Sequence, residues 1–165
     1  STRTPWRLVV DDAKHYLATT SETYDLIIID VPAPYYLQTG LLFTREFYAL
    51  CRGRLSPEGI LSVYLAEDLT ARGKNPIAGP ILAAVAAEFP NVSVVNGYEA
   101  GYGFAYASRR RLDVQQLWQA CVSSGGREFQ NVPDLTLQKV LAEHRPASLR
   151  DLRLVWRLSW DAFPR

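Results

Sequence analysis

Methionine is missing altogether from the 165 residues, and the chain opens Ser-Thr-Arg-Thr-Pro. A translated chain begins with Met, so the segment is expected to be processed, trimmed or part of a longer polypeptide. The opening has no apolar core of the kind a signal peptide carries. No apolar run approaches the roughly 18 residues that a membrane span needs. The longest, Ile81–Val85 and Leu26–Ile29, fall far short. The segment therefore reads as cytoplasmic, with no membrane contact of its own, and a membrane-bound parent protein is left open. Net charge is also nearly absent. Lys+Arg 18 against Asp+Glu 17 leaves +1, which speaks against nucleic-acid binding driven by bulk charge. Cysteine is limited to Cys51 and Cys121, and histidine to His15 and His144. They form no CxxC or Cys/His cluster, so no metal is expected. Each cysteine falls on the apolar face of an expected helix and reads as a buried thiol. No serine stands in a nucleophile-elbow context. There is no G-x-G-x-x-G. Gly101-Tyr102-Gly103 comes late, between two strands, where a tight turn accounts for it.

What is present is enough apolar residue for a core: 48% hydrophobic against 21% charged. The length suits about one domain on the prior of roughly 150 residues per domain. Strand and helix signals alternate through the first half. Trp6–Val10 is a short apolar run expected to be a strand, and Ala13–Ala18 a helical turn or two. Tyr24–Ile29 is β-branched and nearly all apolar, as in a parallel strand covered on both faces. Val31-Pro32-Ala33-Pro34 stops it, because proline cannot continue a central ladder. Thr44 is an N-cap candidate for a helix reaching about Arg54, with Glu46 in its first turn. Ser56-Pro57-Glu58-Gly59 reads as a turn before a strand over Gly59–Leu65. Ile77, Ile81, Leu82, Val85 and Phe89 mark one face of a helix. Val92–Val95 and Gly103–Ala107 lie too close for a crossover and are expected to pair as a hairpin.

After Arg109-Arg110-Arg111, read as a solvated basic corner, the pattern turns helical. Val114, Leu117, Trp118, Cys121 and Val122 repeat behind Asp113. Leu137, Val140 and Leu141 repeat behind Pro133-Asp134. The tail is ambiguous: Ser148 with Asp151 is a capping-box pattern, while Leu152, Leu154, Trp156, Leu158 and Trp160 alternate as in a strand. Its Trp and Arg content is also that of an interface. Strand–helix alternation followed by paired strands argues an α/β sheet, mostly parallel, with antiparallel terminal strands. Residues 1–111 form that part, and 112–165 a helical extension packed on it.

In doubly wound sheets ligands sit at the carboxyl ends of strands. Asp11 and Asp12 follow the first expected strand and Asp30 the second. A carboxylate there can accept a hydrogen bond from an adenine amino group or bind and deprotonate an amine. It can equally cap a helix or form a turn. His15 reads as a surface or half-buried side chain. Tyr35-Tyr36 are candidates for a wall beside a cationic substrate, or for packing on the sheet edge.

Val-Val-Asp-Asp-Ala-Lys-His-Tyr-Leu (Val9–Leu17), Tyr-Asp-Leu-Ile-Ile-Ile-Asp (Tyr24–Asp30), Leu-Phe-Thr-Arg-Glu-Phe-Tyr (Leu42–Tyr48), Arg-Leu-Ser-Pro-Glu-Gly-Ile-Leu (Arg54–Leu61) and Gly-Tyr-Gly-Phe-Ala-Tyr-Ala-Ser (Gly101–Ser108) stand in that order. Together they resemble the spermidine synthases, the polyamine aminopropyltransferases, over about Trp6–Arg109. The resemblance implies a three-layer Rossmann-like S-adenosylmethionine-methyltransferase-type domain. It implies transfer of an aminopropyl group from decarboxylated S-adenosylmethionine to a small-molecule amine. It puts Asp30 in the catalytic amine-side role, and Asp12 with the Ala13 backbone beside the adenine. The family's second acidic position is Ala33 here, and Leu65 stands where a glutamine usually grips the amine. A diamine carries two charges, so putrescine is not the expected acceptor.

The likeness begins at the family's third strand, so the sheet is expected to be N-terminally truncated, without the Gly-rich loop that cradles the co-substrate. In that fold the first two strands lie between the third and fourth. Bare central edges invite association, so a homo-oligomer or the remainder of a longer polypeptide is expected as partner. Two further readings stay open: a non-catalytic relative serving assembly or partner binding, and a methyltransferase that uses S-adenosylmethionine on another acceptor.

Overall fold

The computed structural model describes residues 6–70, 75–97, 101–113, 119 and 129–151. Of the helix expected from Val114 to Val122 only Gln119 is among them; Cys121 and the tail from Leu152 lie outside them. The elements are α1 (Ala13–Thr19), β1 (Tyr24–Ile29), α2 (Leu37–Gly40), a 3-10 turn (Leu41–Phe43), α3 (Arg45–Arg54), β2 (Leu55–Tyr64), α4 (Ala78–Ala86), β3 (Asn91–Gly97), β4 (Gly103–Ser108), β5 (Phe129–Asn131) and α5 (Asp134–Glu143). The strands form one sheet in the order β1-β2-β4-β3-β5. β1 and β2 run parallel; the other pairings are antiparallel. This is the expected α/β sheet with antiparallel terminal strands, but among the described strands it is not mostly parallel: one pairing is parallel and three are antiparallel, because β4 returns between β2 and β3.

Several helix ends have an identifiable partner. The Asp12 carboxylate accepts from the backbone N–H of Lys14 and His15 at the start of α1. Thr44 caps α3 through the N–H of Phe47. Glu67 reaches across a loop to accept from Ile77 N and Ala78 N, at 3.0 and 2.7 Å, capping α4. Arg54 donates to the carbonyls of Leu17 and Ala18 and so ties the end of α1 to α3. Such groups satisfy backbone donors and acceptors that a helix leaves unpaired.

α3 packs on β2, α4 on β3 and β4, α1 on α3 and α5 on α4. These helices make one layer on one face of the sheet. Leu61, Val63 and Leu65 point into that layer and are fully buried, together with Phe43, Phe47, Tyr48, Ile81 and Leu82. The alternate face carries Ile60, Tyr64, Phe104 and Tyr106, all partly exposed. A second helical layer, and so the third layer of the expected architecture, is not among the described residues.

The structure departs from the sequence reading in several places. Trp6–Val10 forms no strand, and Trp6, Leu8 and Val10 are 85%, 75% and 92% exposed. A strand needs a partner ladder, and none of the described strands pairs with it. β1 is apolar as expected but is an edge strand, not one covered on both faces. Leu26 is 53% and Ile28 62% exposed. Ser56–Gly59 is not a turn before the strand but an irregular stretch within β2. Tyr24 pairs with Leu55 and Leu26 with Ile60, so β2 bulges there. A Cβ on Gly59 would come within 2.9 Å of the Tyr24 carbonyl oxygen, so glycine permits the two strands to close again. Arg109 and Arg110 are not merely solvated. Arg109 donates to the carbonyls of Arg52, Leu55 and Ser56, and Arg110 pairs with Glu58. β5 was not foreseen. Ser148 and Asp151 close a short bridge of their own.

Candidate functional site

Asp30 leaves the carboxyl end of β1 and is exposed. The parallel register sets Ile29 beside Val63, so the next residues, Asp30 and Tyr64, are neighbours at the same end of the sheet. Tyr64 in turn pairs with Phe104. Ile29 and Val63 are buried on the helical side. By the two-residue alternation of a strand, Tyr64 belongs to the other face. Leu65 is wholly buried in the core. Leu65, which stands where the family's glutamine is expected, thus faces the core, and Tyr64 is the side chain at this end of the sheet on the other face. An alternation count from buried Leu61 and Val63 carries that information, but it needs the register to be used.

The Val31–Pro34 loop turns back sharply. Tyr35 N donates to the Ala33 carbonyl at 2.7 Å, and Ala33 and Pro34 are buried. Tyr35 and Tyr36 are 46% and 69% exposed. The Tyr64 hydroxyl titrates above the ordinary tyrosine range. Burial is the largest cause, followed by Tyr102, Tyr35 and the Asp30 carboxylate. Those four side chains thus lie within electrostatic reach at one sheet end. Tyr64, Tyr102 and Phe104 are in mutual ring contact. Neither Tyr64 nor Tyr102 was a candidate from sequence, since their meeting depends on the β2–β4 pairing.

Asp12 is exposed at the start of α1, where its Oδ1 accepts from Lys14 N at 2.9 Å and His15 N at 3.0 Å. It follows Trp6–Val10, which is no strand here, so its place at a strand tip is corrected to a helix cap. Beside it, Asp11 and His15 form an exposed ion pair at 2.9 Å. The hydrogen bond from the imidazole lowers the Asp11 carboxyl, and the Asp11 carboxylate raises the imidazole. Ala13 lines a groove of about 380 Å³ with Arg7, Val9, Asp11, Tyr16 and Leu26. Neither Asp12 nor Asp30 is among its described lining residues. Among the described residues no group of three His, Cys, Asp or Glu side chains is placed to hold a metal. No described helix is long and apolar enough to cross a membrane.

Residues 3–71 match the spermine/spermidine synthase domain family. The polyamine aminopropyltransferase of Oceanobacillus iheyensis is 29% identical over an alignment 140 residues long that covers 77% of this chain and 27% of that protein. That share carries the likeness past Arg111. Among solved structures, a probable spermidine synthase from Corynebacterium glutamicum superposes with a TM-score of 0.62 at 17% identity, over 85% of this chain and 53% of that one. A spermidine synthase in complex with the transition state analogue AdoDATO gives 0.58 at 23% identity, over 82% and 47%. The chain spans about a quarter of the curated relative and about half of these solved chains. The described sheet has the Rossmann-like methyltransferase-type fold, shared with these neighbours, and residues 3–71 are similar in sequence to the spermine/spermidine synthase domain family.

Proposed function

We propose that this chain supplies the amine side of an aminopropyl transfer, with Asp30 as the carboxylate that holds and deprotonates the acceptor. The observation that carries the reading is the position of Asp30. It is an exposed carboxylate at the carboxyl end of a parallel strand, beside Tyr64 and within the matched residues 3–71. A neighbour of this fold is solved with a transition state analogue, which supports a transferase reading. Decarboxylated S-adenosylmethionine supplies a cationic sulfonium, with an electrophilic carbon and a neutral thioether as leaving group. An amine at pH 7 is protonated and cannot attack until it loses a proton. Asp30 binds the ammonium by a charge-assisted hydrogen bond and accepts that proton as general base. Tyr35 and Tyr36 flank the acceptor.

On the nucleoside side, Asp12 and the Ala13 backbone contact the adenine. Asp12 Oδ1 is engaged by the cap, so its second oxygen is the acceptor for an adenine amino group. The Gly-rich loop that cradles the co-substrate comes from sequence outside these 165 residues, in the same polypeptide or in a partner. The test is calorimetric titration of the full-length protein containing this chain with decarboxylated S-adenosylmethionine, methylthioadenosine and S-adenosylmethionine. Tighter binding of the decarboxylated form, lost in Asp12→Ala, supports the reading. Tighter binding of S-adenosylmethionine supports methyl transfer instead. Absence of binding to all three refutes the nucleoside site.

A second reading, a non-catalytic domain serving assembly, is favoured by a specific observation. The open edge of β1 and the unpaired Trp6–Val10 segment expose Trp6, Leu8, Val10, Leu26 and Ile28 together. Unpaired strand edges are sites of association.

A further inference from the structure

Three aromatic rings meet where β2 and β4 end. The Tyr64 centroid lies 5.6 Å from that of Tyr102 and 5.6 Å from that of Phe104, and Tyr102 and Phe104 are also 5.6 Å apart. Their interplanar angles are 63°, 54° and 88°. In such tilted and edge-on contacts the electron-rich ring faces are met by the positive edges of neighbouring rings. The cluster therefore spends much of its cation-attracting surface on itself. All three residues remain partly exposed. The sheet register places this cluster beside Asp30, through the Ile29–Val63 and Tyr64–Phe104 pairs.

The charges near this end of the sheet are uneven. Asp30 offers one carboxylate. Ala33, three residues on, is buried and offers none. Tyr64 stays neutral at pH 7, since burial raises its hydroxyl above the usual range. One ammonium finds a counter-charge here. Among the described residues the next carboxylates along the chain from Tyr64, Glu67 and Asp68, are engaged by Ile77 N and Ala78 N and by Thr70 and Asn96, so a second ammonium on the same molecule meets aromatic rings and a neutral phenol and loses water without a free carboxylate to replace it. A methylene chain in that position gains apolar contact instead.

We propose that Tyr64, Tyr102 and Phe104 form a specificity wall that selects an amine with a single ammonium and an apolar chain over a diamine of the same length. The proposal rests on the amine-side reading of Asp30. It assigns to these three rings a role that the sequence likeness does not give them.

The experiment is calorimetric titration of the chain at pH 7 with pentylamine and with 1,5-diaminopentane, which differ only in the second ammonium. The unaltered chain binds pentylamine more tightly by about tenfold, the ratio expected when one charge-assisted hydrogen bond is left unmade. Tyr64→Glu adds a carboxylate to the wall and shifts the preference toward the diamine. Tyr102→Glu is the second variant, and circular dichroism verifies that each is folded. Equal binding of the two amines, or a ratio unmoved by both substitutions, overturns the wall while leaving Asp30 its role. Failure of both amines to bind, or binding unchanged in Asp30→Asn, overturns the amine-side reading itself.

Discussion

Tyr48 shows how local chemistry in this chain can be read from burial and partners. Its side chain is fully buried, and among the described residues its hydroxyl has no hydrogen-bond partner. Burial raises its pKa far above the ordinary range, so it carries an unsatisfied neutral donor. Removing a buried, unpaired hydroxyl relieves its desolvation cost, which is about 1–3 kcal/mol for such a group. Tyr48→Phe is therefore expected to unfold at the same or a higher denaturant concentration than the parent chain; a clear loss of stability would mean that the hydroxyl has a partner. Cys51 is buried beside it, and desolvation pushes its thiol up to about 12. In a Cys121→Ser background a thiol reagent at pH 8 should react only on unfolding, and rapid native-state labelling would contradict the burial. His15 gives the pH dependence. Its folded pKa is raised by the hydrogen bond to Asp11. Its contribution to stability is therefore complete below the unfolded value of about 6.5 and fades as the pH climbs through the folded value. The Asp11 carboxyl is lowered, so its own share fades only as the pH falls through its folded value in acid. An NMR titration should place the His15 imidazole above the ordinary histidine range, and Asp11→Asn should return it.

Helices and strands were legible in the sequence wherever pattern and punctuation agreed. Thr44 and Glu46 announce α3, Pro133-Asp134 announces α5, and the run Tyr24–Ile29 stops at the proline loop as the strand does. The misreadings share one physical origin, namely that pairing is not local. Ser56-Pro57-Glu58-Gly59 has the composition of a turn, but β1 recaptures the chain at Ile60 and the turn becomes a bulge. Trp6–Val10 has the composition of a strand and no partner. The Glu67 cap of α4 spans ten residues of sequence to Ile77, beyond any capping-box spacing. Packing of α4 on α5 depends on Gly79. A Cβ there would fall 2.4 Å from the His144 ring. Ala is favoured over Gly within a helix by about 1 kcal/mol, but the clash costs about 1–3 kcal/mol of overpacking. Gly79→Ala is expected to destabilise, and the same change in a His144→Ala background to be neutral or stabilising. A cycle with no coupling between the two sites would contradict this packing.

The described residues form a sheet with helices on one face, edge strands at β1 and β5, and a catalytic candidate at the tip of β1. The sheet class, and the place of Asp30 at the end of its strand, could be read from the order of motifs. The side chains around Asp30 could not, because Tyr64, Tyr102 and Phe104 converge only after β2 and β4 pair. Asp12 remained open between cap and ligand contact, and the structure finds it capping α1. The amine-side role of Asp30 is tested most directly by methylthioadenosine release. The polypeptide containing this chain is incubated with decarboxylated S-adenosylmethionine and pentylamine, and the unaltered form is compared with Asp30→Asn. Amine-dependent release that falls by about 10²–10⁴-fold in the variant is the predicted result, the range typical of a lost general base. Release at an unchanged rate in Asp30→Asn, or no amine-dependent release from the unaltered protein, would contradict it.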